Sequence, residues 1–267
     1  MLQLIAHGMR NHVKVKYLLT LFVIMMIAIG VPFFTIFKTV GKMISDPASP
    51  MDLKQSLTQY IENLFLVRIS ISIFLISAWS FFPKLFWNNK MSGEVEAMLA
   101  IGYSARKLWF SKALTSTLLS IMVAYPIIIV FDITLRLYLH YHYSLSLAID
   151  LLPWAFSLLF NPIFILLIIL YVGGYQLLTN DVKKSSFSVI ILAIINMSGT
   201  FGSQMEKIAY PSRPFLIVYG VCFVALFLLI FRLFTFMTTE NVIYSKLERR
   251  KQTQQTSNLT EANHYDG

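Results

Sequence analysis

The sequence predicts an all-α, polytopic membrane protein with six transmembrane helices, and three observations carry that expectation. Of 267 residues, 57% are hydrophobic and 13% charged, about half the charged share of an average soluble domain. Six charge-free or nearly charge-free stretches each approach or exceed the roughly 20 residues that a helix needs to cross about 30 Å of hydrocarbon. The 22 Lys and Arg outnumber the 13 Asp and Glu, and they gather beside the apolar stretches, a placement that orients a chain in a membrane rather than binding nucleic acid. Soluble enzymes, secreted scaffolds and nucleic-acid-binding domains are thereby excluded. The one cysteine, Cys222, lies in an apolar run, so neither an internal disulfide nor a cysteine-based zinc cage is possible.

Residues 1–16 form the first element. Leu2, Ile5, Met9 and Val13 recur at spacings of three and four while Gln3, His7, Arg10, Asn11 and Lys14 fall mostly elsewhere, the pattern of an amphipathic interfacial helix. Span one is 17–37, too long for the apolar region of a signal peptide and therefore a retained anchor. Span two runs over 61–82, interrupted by Arg68 and ended by Pro83 and Lys84, where the chain is expected to leave the bilayer. Span three is 113–131, bounded by Lys112 and Asp132. Residues 151–180 are free of charge over 30 positions, more than one straight crossing requires; Asn161 and Pro162 supply the reason for a kink in a fourth span. Span five is 185–205, closing in a polar, glycine-bearing stretch, and span six is 214–231 with an extension to Met237. The transmembrane domain thus covers 17–237, and 238–267 is a polar, largely disordered tail.

Orientation follows from the basic residues, which short cytoplasmic loops retain. With the amino terminus inside, 15 of the 22 Lys and Arg lie on cytoplasmic segments and six on external ones, so both termini are cytoplasmic. Between spans three and four, 135–147 alternates in a strand-like period, but an isolated strand cannot sit in lipid with open edges, and an interfacial helix is favoured. His140 and His142 there lack a third metal ligand.

Much chemistry is missing. Gly41-Lys42 is no phosphate loop, lacking the upstream glycine and the following Ser or Thr. No HExxH occurs, and the acids cluster at span ends or in loops rather than at membrane depth, which removes support for intramembrane proteolysis and proton relays. No tandem repeat and no similarity between halves points to a solenoid or an inverted-repeat transporter. The chain is expected to be a non-enzyme with no cofactor or metal of its own.

The most informative stretch is the cytoplasmic connection at about 88–112, read from Trp87 as WNNKMSGEVEAMLAIGYSARKLWFSK. It has the pattern of a short helix lying across the membrane surface, with Val95, Met98, Leu99 and Ile101 as an apolar side and Glu94 and Glu96 exposed. Gly102 permits a sharp turn, and Ser104 can cap a second helix that begins with Ala105 and Arg106 and feeds span three.

Here the sequence resembles the permease subunits of type 2 ATP-binding-cassette exporters, whose connection between spans two and three carries a Gly-x-x-Glu-x-Leu-Leu-like stretch. In this chain it reads Gly93, Glu94, Val95, Glu96, Ala97, Met98, Leu99, followed by Gly102 at the turn, Arg106, and Ser111-Lys112. The family's turn proline is replaced by glycine, and Lys90 and Met91 stand where an acidic residue often precedes the motif glycine. The resemblance implies a coupling helix docked on a separate ATPase subunit, which binds ATP and Mg; Glu94 and Glu96 would meet its basic residues, and Met98 and Leu99 would fill its apolar cleft. It implies a second permease, an identical or related copy, and a path lined by spans two and five. Arg68 and Ser72 on span two and Asn196 and Ser198 on span five are the candidates for that path. The expected function is a permease moving an amphipathic lipid, peptide or drug-like substrate outward across a bacterial cell membrane. An ion-gradient-driven secondary transporter and a non-conducting anchor or signalling subunit are the alternatives.

Overall fold

Apolar runs bounded by glycine, proline and charge fold as helices because a chain in hydrocarbon must satisfy its backbone polar groups within each segment. The computed structural model describes Ile5, Gly30, Gly41 and residues 19–27, 50–144, 150–179 and 213–243. Among these residues the secondary structure is all helical, without strand. Four helices are long and apolar enough to cross a membrane, Ser56–Met91, Ala105–Tyr143, Leu151–Leu178 and Tyr219–Phe236, and they make the chain an integral membrane protein. They coincide with the second, third, fourth and sixth expected spans. Residues 19–27, within expected span one, are helical. The fifth span, all but Ile5 of the amino-terminal helix, and the tail beyond 243 lie outside the described residues.

The first long helix is a chain of segments: α1 (Met51–Leu64), a π turn over Phe65–Ile69, α2 (Ser70–Phe82), a second π turn over Pro83–Asn88, and α3 (Asn89–Met91). The helical run does not end at Pro83 but continues to Met91. Pro83 occupies the first position of the π turn, where the wider hydrogen-bond register accommodates its missing N–H. After Met91 come α4 (Glu94–Ala100) and α5 (Ala105–Tyr143), then α6 (Leu151–Ala155), a third π turn over Phe156–Phe160, α7 (Asn161–Thr179) and α8 (Arg213–Phe236). The break expected at Asn161-Pro162 takes the form of the π turn immediately before it.

Helix α5 has 39 residues, about 58 Å at 1.5 Å per residue. Asp132, expected to bound span three, instead sits buried inside it because Arg136, one turn on, donates through Nε to Asp132 Oδ2 at 2.8 Å. The segment up to Tyr143 continues as helix, as favoured over a strand, and ends at Ser144 with φ 52°. His140 and His142 thus lie two residues apart on a helix and do not share a face.

Helices α2, α5 and α7 pack around one another, and α8 lies along α7. Phe65, Phe74, Phe81, Phe86, Ile73, Leu119 and Ile127 fill the core. Small hydroxyl residues line the α2–α5 seam, where they allow close backbone approach and bond across it. Ser120 donates to Phe74 O at 2.9 Å and Ser116 to Ala78 O at 3.5 Å. Ser77 donates to Ile73 O and to Met25 Sδ at 3.3 Å, bringing residues 19–27 against α2.

Candidate functional site

The connection between α2 and α5 folds much as its residues dictate. Gly93 opens α4 at φ 80° and Gly102 closes the turn after it at φ 97°, left-handed values that a side chain resists. Ser104 accepts from Lys107 N at 3.3 Å as the cap of α5. Val95 and Leu99 are buried and Met98 is partly buried.

Two expectations on this helix are corrected. Ile101, expected to share one apolar side with Val95, Met98 and Leu99, is 78% exposed while Val95 and Leu99 are buried, because it follows the last helical residue and the Gly102 turn carries it outward. Glu94 and Glu96, assigned to solvent, are half-buried. Glu94 lies close enough to the buried Lys112 to attract its charge, and both carboxylate oxygens of Glu96 are covered. The surface presented outward consists instead of Ala97, Ala100, Ile101, Gly102 and Tyr103, with Met91 and Ser92 before the helix and Arg106 and Lys107 after it.

Both roots of the connection are fastened to α7. Gly173 and Gly174 leave a notch in that helix. A Cβ on Gly173 would run into the ring of Phe86, and one on Gly174 would stand 2.9 Å from Trp109 Cε2 and Cζ2. Phe86 comes from the end of span two and Trp109 from the first turns of α5; with the notch open, Trp109 Nε1 donates to Leu170 O at 2.8 Å. Lys90, itself buried, donates through Nζ to Gln176 O at 3.3 Å and to Leu177 O. A cation there meets the last-turn carbonyls and the negative end of the α7 dipole. Arg106 places its guanidinium 4.3 Å over the Phe234 ring of α8, a cation–π contact to a further span.

No family model matches this chain, and no curated protein or solved structure matches it.

Of the path candidates, Arg68 lies in the π turn Phe65–Ile69, its side chain outside those described, and Ser72 is half-buried on α2. Asn196 and Ser198 lie outside the described residues. Glu62 accepts from Arg136, which thereby bridges Glu62 of α1 and Asp132 of its own helix. Glu62 and Asp132 are both buried.

Sequence reasoning missed Phe86, Trp109, the Gly173-Gly174 pair and the bond that explains Lys90. The adjacent glycines within a run of bulky apolar residues were a usable signal; the partner of Lys90 was not, being 86 positions away.

Proposed function

We propose that the chain is the membrane-spanning permease subunit of an ATP-binding-cassette exporter that moves an amphipathic substrate. The observation that carries this reading is the Gly93–Arg106 connection: a short helix set between two left-handed glycines, presenting a mostly apolar outer surface and gripped from behind by Phe86, Lys90 and Trp109. A surface element so held passes an applied push to several membrane helices together, which is what a subunit without a phosphate loop needs from an outside motor. ATP and Mg belong to the partner ATPase, and a second permease completes the path.

The geometry shifts the proposed docking contacts. Ile101, Tyr103 and Ala97 face outward, whereas Glu94 and Glu96 are half-buried. Gly93, Gly102, Met98 and Leu99 shape and seat the helix, and Arg106 ties it to α8. Affinity purification from the native membrane is expected to bring down an ATPase subunit with a phosphate loop. Ile101→Glu is expected to abolish that co-purification with membrane insertion intact, and Glu94→Lys to weaken it less. Failure to recover any ATPase, or recovery unchanged by Ile101→Glu, overturns the reading.

A second reading, an ion-gradient-driven transporter, draws on the buried Glu62–Arg136–Asp132 cluster, since ionisable groups inside spans commonly mark ion pathways. Substrate uptake driven by a cation gradient in ATP-free vesicles, lost in Asp132→Asn, would favour it.

A further inference from the structure

Three neighbouring helices depart from the regular α ladder at one level of the bundle. Span two does so in the π turn Phe65–Ile69, span four in the π turn Phe156–Phe160, and α5 at Pro126, whose missing N–H leaves Met122 O without its usual helical donor. Cross-contacts fix the common level. The Phe65 ring lies 5.6 Å from Phe131, that of Phe74 5.7 Å from Tyr125, and Tyr125 donates its hydroxyl to Leu158 O inside the span-four π turn.

Lateral bonds from side chains cross at this level too. Asn161, fully buried, donates through Nδ2 to Ser70 Oγ at 2.6 Å and to Val67 O at 3.4 Å. Tyr219 of α8 donates to Phe160 O at 3.2 Å and to Asn161 Oδ1 at 3.4 Å. Carbonyls of both π turns are thus held by side chains from neighbouring helices, the arrangement by which membrane helices tolerate an interrupted ladder.

On either side of the level the helices are tied to one another by further side-chain bonds. Toward α4, the regular segments α2 and α7 and the first half of α5 are cross-tied by Ser116, Ser120, Trp109 and Lys90. Toward the other end, Arg136 ties Glu62 of α1 to α5. Two braced bodies are joined through three helices that each carry a bendable turn at this level, and bends of membrane helices localise at proline and at π turns. We propose that this level is a hinge plane across the bundle, about which the α4 end and the Glu62 end move as two bodies, with Asn161 as its pin. The hinge stands apart from the proposed motor, since it follows whether ATP or an ion gradient drives the motion.

The full-length chain in lipid nanodiscs, with Cys222→Ser, carries spin labels in two pairs built on outward-facing helical sites. Ile76→Cys with Leu137→Cys spans the plane, and Ile76→Cys with Phe110→Cys lies within the α4-end body. The spanning pair is expected to give a broad or two-peaked distance distribution, and the inner pair a single narrow one. Asn161→Val is expected to shift the populations of the spanning pair alone, and Pro126→Ala, which restores the ladder, to narrow it. A spanning pair as narrow as the inner pair in the unsubstituted sequence overturns the hinge, as do variants that alter both pairs alike. Should Asn161→Val fail to fold, the comparison of the two pairs and the Pro126→Ala variant decide the matter.

Discussion

Gly174 has no side chain, and the space that one would fill belongs to the Trp109 indole. A Cβ there meets a rigid ring that is itself held by its bond to Leu170 O. Gly174→Ala is accordingly expected to destabilise the fold by about 1–3 kcal/mol through overpacking. Trp109→Phe, which keeps most of the apolar body but loses the donor, is expected to cost about 1 kcal/mol. Thermal unfolding in detergent micelles, followed by tryptophan-independent circular dichroism, ranks the two. Gly102 poses the opposite problem: nothing lies within 4 Å of the position its Cβ would take, yet its φ is +97°. Gly102→Ala is therefore expected to cost about 1–2 kcal/mol by backbone strain alone, with no new contact in the core; the same melts measure it. Of these residues the sequence announced Gly102, since a lone glycine after an amphipathic helix signals a turn. It said nothing of why Lys90 tolerates burial, because the carbonyls that accept its hydrogen bonds belong to a distant helix end.

Elements were legible where one property, absence of charge, runs unbroken for a full crossing, and four of the expected spans appear as long apolar helices. The helices run past the expected span ends for a common reason. Asp132 and Pro83 look like terminators, but a carboxylate bonded to Arg136 stays inside a helix, and a proline at the start of a π turn does not end one. Pairing between distant residues and hydrogen-bond register leave little trace in linear order; Pro83, Pro126 and Pro162 are the trace of a broken ladder. The bridge from Arg136 to Glu62 and Asp132 also yields a prediction for the α1–α5 contact. Arg136→Gln leaves two buried carboxylates without their guanidinium and is expected to destabilise by about 3–5 kcal/mol. The triple variant Glu62→Gln, Asp132→Asn, Arg136→Gln, with the charges removed together, is expected to recover most of that loss. Chemical unfolding of both variants in the same detergent provides the check.

For the whole molecule, the 39 residues of α5 overreach a bilayer core, so its two ends stand in water on opposite sides. In intact cells carrying Cys222→Ser, a membrane-impermeant maleimide is expected to label Tyr141→Cys from outside and Lys107→Cys only after the membrane is opened, while Met122→Cys, exposed toward lipid at mid-helix, reacts with neither treatment. Labelling of Lys107→Cys in sealed cells would invert the proposed orientation and remove Ile101 from reach of any cytosolic ATPase. The staple between Lys90 and the end of α7 bears, finally, on how the molecule is made. The ammonium of Lys90 emerges from the ribosome well before the carbonyls of Gln176 and Leu177, 86 and 87 positions later, and until they arrive it stays hydrated at the membrane surface. The second and third crossings are therefore expected to enter the bilayer as an unfinished hairpin whose connecting loop takes its final seat only when the fourth helix packs. A nascent chain arrested before residue 176 is accordingly expected to leave Lys90, buried in the finished fold, open to an amine-reactive reagent.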